Sequence, residues 1–147
     1  MPSACISRTV AAAPQAVWAL VGDPRQLPRW WPRAVRVEGV TGRGFTLVLE
    51  SRRGREVRAD QVVILEDRMR RRVWALEVED TPFAAVFTAS ETEVRLAPAD
   101  GGRTSLELEL RQRLRGTNRL GGFLASRSGR RQLRAALDAV ERELAGG

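Results

Sequence analysis

From Val35 to residue 113 apolar side chains mostly alternate with polar ones, the period of a strand buried on one face. Leu106, Leu108 and Leu110 against Glu107, Glu109 and Arg111 alternate most cleanly. Val35 and Val37 mark one strand, and Phe45, Leu47 and Leu49 another, opened by Gly42-Arg43-Gly44. Arg52-Arg53-Gly54-Arg55 predicts a hairpin turn. Val57 to Leu65 predicts a third strand. Its apolar parity changes from Val57 and Ala59 to Val62 and Ile64, which places a bulge near Asp60-Gln61. Glu66-Asp67-Arg68 predicts a turn, Trp74, Leu76 and Val78 a further strand, and Phe83 to Leu96 a long or bent one. Pro98 to Gly102 turns the chain into the last strand.

The two ends read differently. Ala4 to Val10 alternates as a strand, with Cys5 expected to be a small buried residue in it. Pro14 suits the first turn of a short helix carrying Val17, Trp18, Leu20 and Val21 and ending at Gly22. Asp23-Pro24 caps a second short helix toward Trp30, bounded by Pro28 and Pro32. Adjacent tryptophans cannot both point one way: either Trp30 and Trp31 both simply pack, or one enters the core and the other lies at a rim or entrance. After Thr117, Leu133, Ala136, Leu137, Val140 and Leu144 recur at helical spacing. Projected backward, that face runs through Gly129, Ser126 and Gly122, which fill no space. Either the helix starts only after Gly129, or its thin half roofs a cavity.

These elements predict an α+β domain over residues 1–147: a curved antiparallel sheet of six or seven strands, two short helices after the first strand, and a long C-terminal helix as its cover. The 147 residues can bury a real core. No apolar run reaches membrane-span length, and the N-terminus lacks the features of a signal peptide. A single cysteine forms no internal disulfide, so a reducing cytoplasm is expected.

Charge adds one feature. All 25 basic residues are arginine and the formal net charge is +7, which points first to a coding bias toward G and C. Yet eight arginines between Arg111 and Arg134 (111, 113, 115, 119, 127, 130, 131 and 134) share that stretch with no Asp or Glu. Such a patch suits an acidic partner. Only Phe123 interleaves with them, so nucleic acid is a poor fit.

Histidine and tyrosine are absent. That removes the usual general base near neutral pH and any nucleophile activated by histidine. With one cysteine and no histidine, a zinc or transition-metal site is improbable. No phosphate-loop or dinucleotide pattern follows a strand. No cofactor is expected.

Ile6-Ser7-Arg8-Thr9-Val10, Ala13-Pro14-Gln15-Ala16-Val17-Trp18, Gly22-Asp23-Pro24 and Pro28-Arg29-Trp30-Trp31-Pro32 together resemble the N-terminal signature of the SRPBCC superfamily. That group holds the START lipid-transfer domains, the birch-pollen-allergen fold and the polyketide aromatase/cyclases. The resemblance covers essentially the whole chain. It implies a helix-grip fold with an apolar pocket between sheet and C-terminal helix, and a small hydrophobic ligand such as a lipid or polyketide. Within it, Trp30, Trp31, Trp74, Phe83, Phe87, Gly122 and Ser126 are candidate ligand contacts. A polyketide aromatase, cyclase or dehydratase is the alternative, its acidic acyl carrier protein docking at Arg111–Arg134; the tyrosine common in such enzymes has no counterpart. Catalytic candidates are then Arg33, beside the tryptophan pair, and the carboxylates Asp60 and Glu77. Parity places Glu77 with Val73 and Ala75, opposite Trp74, on a solvated face. A protein-interaction module like the related co-chaperone activators is a second alternative.

Overall fold

The computed structural model describes residues 3–116 and 119–146, except the side chains of 119–126. Strand β1 (Ser3–Val10) leads into helices α1 (Pro14–Val21) and α2 (Leu27–Trp30). Strands β2 (Ala34–Glu38), β3 (Gly44–Glu50), β4 (Glu56–Asp67), β5 (Arg71–Leu76), β6 (Phe87–Pro98) and β7 (Thr104–Leu114) follow, and helix α3 (Arg119–Gly146) ends the chain. Pro14 opens α1, and the Asp23 carboxylate accepts from the Arg25 amide at 3.0 Å at the start of a short 3₁₀ turn.

All seven strands form one antiparallel sheet in the order β1-β7-β6-β5-β4-β3-β2. The meander runs from β2 to β7, and β1 closes on β7, Ala4 opposite Leu110. One face is concave and apolar. On it Leu106, Leu108, Val94 and Leu47 meet Leu133, Ala136, Leu137 and Val140 of α3. The helix is also tied to the edge strand: the Arg8 guanidinium donates to Asp138 at 2.7 Å and Glu141 at 2.9 Å.

Several local expectations need correction. The bulge lies at Val63–Leu65 in the pairing with β5, and β3 pairs with β4 without interruption past Asp60. The parity change at Asp60-Gln61 instead reflects apolar side chains lying on both faces: Ala59 and Val63 face the core side while Val62 shares the convex face. The turn after β4 is centred on Met69, whose φ is +70°. Phe83 belongs to a 3₁₀ turn (Pro82–Ala85), capped by the Thr81 hydroxyl, and not to the strand that follows. Cys5 is exposed on the convex face, and Ala4 takes the buried place beside it. Of the two readings of the tryptophan pair, packing of both holds: Trp30 and Trp31 are 2% and 7% exposed, the chain turning extended at Trp31 and their rings meeting edge to face at 5.6 Å. Finally, α3 starts at Arg119, so Gly129 lies inside the helix.

Candidate functional site

Gly129 fills its place by proximity. A Cβ there would stand 3.1 Å from Ala4 Cβ and 3.7 Å from Leu110 Cδ2. The glycine lets α3 sit directly on β1 and β7, and at this position the helix leaves no open space. Gly122 and Ser126, the other members of that face, have side chains outside the described residues.

Toward the middle of the sheet the helix and the strands diverge, and a cavity of about 230 Å³ remains. Its floor is built from Leu47 and Leu49 of β3, Ala59 of β4, Trp74 and Leu76 of β5, and Leu110 of β7. Trp31, Phe83 and Phe87 wall it at the sides. Trp74 is held in place by Phe45, whose ring meets it at 6.1 Å. Trp31, Trp74, Phe83 and Phe87 are therefore brought together as the sequence suggested. Trp30 is not among the lining residues; it buttresses Trp31 from behind.

Five polar side chains complete the lining: Gln61, Ser90, Thr92, Gln112 and Gln132. All are neutral. Sequence reading missed them because glutamine and threonine on a strand look like solvated positions. Parity was the available signal: Gln112 follows Leu108 and Leu110 at two-residue steps, and Ser90 and Thr92 precede Val94 in the same way.

The three catalytic candidates lie elsewhere. Arg33, with φ of +66°, is exposed and donates through Nη1 to the Glu50 carbonyl at 3.2 Å. Asp60 is exposed on the convex face and accepts from the Thr46 hydroxyl at 2.6 Å. Glu77 is exposed beyond the end of β5. None reaches the cavity, and no ionisable side chain among the described residues lines it.

One cluster of ionisable groups lies on the convex face. Glu93, 1% exposed, is held by Arg71 at 2.6 Å, Arg95 at 2.7 Å and Arg111 at 2.8 Å. Burial disfavours its charge, but the three guanidinium hydrogen bonds outweigh burial and lower its pKa to about 2. Arg95 also reaches Glu107 and Glu109. A wide groove of about 460 Å³ opens here between Asp67, Arg71, Arg95 and Glu107. Arg71 and Arg95 are already paired there, while Arg70 lines the groove exposed and without an ion pair among the described residues. A second outer cleft, about 400 Å³, runs between Asp23, Thr41, Glu66 and Arg72. There Arg72 Nη1 donates to the Gly22 carbonyl and reaches Glu66 at 3.4 Å, its Nε is buried without a partner among the described residues, and desolvation lowers its pKa. No group of Asp, Glu, His or Cys among the described residues could hold a metal ion.

The arginine-rich stretch divides. Arg111 is neutralised within the Glu93 cluster, whereas Arg127, Arg130, Arg131 and Arg134 stand exposed along α3 without an ion pair among the described residues.

The family described as polyketide cyclase/dehydrase and lipid transport matches residues 1–145. No curated protein matches the chain significantly. Solved structures do resemble it in fold. The protein XoxI from Bacillus cereus is 18% identical with a TM-score of 0.78, the match covering 98% of this chain and 96% of that one. A START superfamily protein from Mycobacterium smegmatis is 17% identical with a TM-score of 0.78, covering 98% and 97%. A Thermobifida fusca protein is 22% identical with a TM-score of 0.73, covering 98% and 93%.

Proposed function

The chain belongs to the polyketide cyclase/dehydrase and lipid transport family, and on that premise we propose that it binds a small hydrophobic molecule in the cavity between sheet and α3. The observation that carries this reading is the lining itself: indole, phenyl and aliphatic walls with a few neutral polar groups. Ligand sites are built this way, apolar area supplying affinity and a few polar groups supplying orientation. Acid–base turnover needs a titratable group aimed at the substrate. The described lining supplies none, which favours binding over cyclisation or dehydration.

Ser90→Leu tests the reading. Leucine at this buried floor position fills the cavity. The affinity for an uncharged two-ring hydrophobic dye such as prodan should fall at least about tenfold. Circular dichroism and Tm should stay near wild type. An unchanged Kd in a folded variant rules the cavity out.

A second reading concerns the partner. Arg127, Arg130, Arg131 and Arg134, without an ion pair among the described residues, favour an acidic protein surface, such as that of an acyl carrier protein, which would deliver the ligand in covalent form.

A further inference from the structure

The polar side chains of the cavity are arranged, not scattered. Ser90 of β6 and Gln112 of β7 are direct cross-strand partners, and Gln112 Nε2 donates to Ser90 Oγ at a long 3.4 Å. Thr92 continues the same line on β6, one pleat further along. Gln132 belongs to α3 and lines the same cavity from the helix side. Gln61 comes from β4. Neither Gln61 nor Gln132 makes a side-chain hydrogen bond with the described residues. A carboxamide carries two donors and an acceptor, so this set retains unused capacity for hydrogen bonding inside an otherwise apolar space. Such capacity discriminates well. A partner that satisfies it gains, and one that leaves it dry loses.

Charge selection follows from what the lining lacks. A carboxylate entering this cavity would shed its hydration without meeting a described arginine, since none is among the residues that line it. Desolvation of an unpaired charge is far costlier than that of a carbonyl.

We propose that the cavity selects uncharged, compact hydrophobes bearing a carbonyl or hydroxyl oxygen, held between Gln112 on the sheet and Gln132 on α3, and rejects the corresponding carboxylates. This rests on the cavity being the ligand site, and it adds the chemical class. Fatty acids and acidic polyketides are excluded as free ligands; neutral ketones and phenols fit. The volume of about 230 Å³ limits the buried part to a molecule of about two fused rings.

Three near-isosteric probes separate the two ideas: 2-acetylnaphthalene, 2-isopropenylnaphthalene and 2-naphthoate, measured with the whole protein at pH 7 by displacement of the naphthalene dye prodan. The ketone should bind about fivefold more tightly than the alkene, the effect of one net hydrogen bond. The naphthoate should bind about a hundredfold more weakly than the ketone. Gln112→Leu and Gln132→Leu should each shrink the ratio between ketone and alkene toward one. Equal affinity of ketone and alkene in the wild type overturns the amide clamp while leaving the cavity reading intact. Naphthoate binding as tightly as the ketone overturns charge rejection. Failure of all three to bind overturns the cavity reading and this inference with it. The wild-type series needs no variant, so a misfolded Leu variant does not rescue the proposal.

Discussion

Gly129 and Ala4 touch through the space of a missing side chain: a Cβ on the glycine would come within 3.1 Å of the alanine methyl. Glycine inside a helix costs roughly 1 kcal/mol against alanine, so its place here is set by the close approach of α3 to β1. Gly129→Val should destabilise the fold by about 2–3 kcal/mol through overpacking. Combining it with Ala4→Gly should recover part of that loss, a coupling visible in urea denaturation. Additive losses would mean that the two residues do not share the space.

Glu93 ties the middle of the convex face together through Arg71, Arg95 and Arg111. Its carboxyl titrates near 2 in the folded protein, below its ordinary value of 4.5. A depressed carboxyl stabilises the fold fully above the unfolded pKa and loses that contribution as the pH falls through the folded one. The wild type should therefore lose stability between about pH 4.5 and 2. Glu93→Gln should cost about 2 kcal/mol at pH 7, because it removes the charge-assisted hydrogen bonds of a buried carboxylate while the three arginines keep access to water, and should flatten this part of the pH profile. Denaturation midpoints measured across that range check both.

Trp31 is at once core and cavity wall, 7% exposed and set against Trp30. Trp31→Ala should cost about 3–5 kcal/mol, the usual range for truncating a buried aromatic, and should leave a larger cavity. Bulkier dyes should gain affinity relative to small ones in the variant. Displacement titrations with a size series would show it. A uniform loss for all sizes would place Trp31 in the core alone.

Arg127, Arg131 and Arg134 lie on the exposed surface of α3. Changing all three to Glu should abolish association with an acidic acyl carrier protein and leave Tm within a degree or two, since surface charges far from packed features have small effects. Wild-type association should weaken steeply with added salt. Binding that ignores salt, or survives the charge reversal, would put the partner elsewhere.

Periodicity reaches far in this chain. Two-residue alternation from Val35 to Arg113 and the helical spacing of Leu133, Ala136, Leu137 and Val140 are local consequences of burying one face, so the strands, their antiparallel order and the covering helix could be read without coordinates. The aromatic lining by Trp31, Trp74, Phe83 and Phe87 was expected from the resemblance to helix-grip proteins and not from periodicity, since Phe83 sits in a 3₁₀ turn and not in a strand. Tertiary structure alone decided the rest. Whether a glycine marks a void or a contact depends on how near the opposite strand lies, and at Gly129 Ala4 is already there. Whether an arginine is free depends on acids distant in sequence: Glu93 claims Arg111, while Arg131 has no such neighbour among the described residues. The polar points of the cavity, Gln61, Gln112 and Gln132, come from two strands and a helix. No spacing along the chain encodes their convergence, because it is fixed by sheet curvature and by the angle at which α3 crosses it.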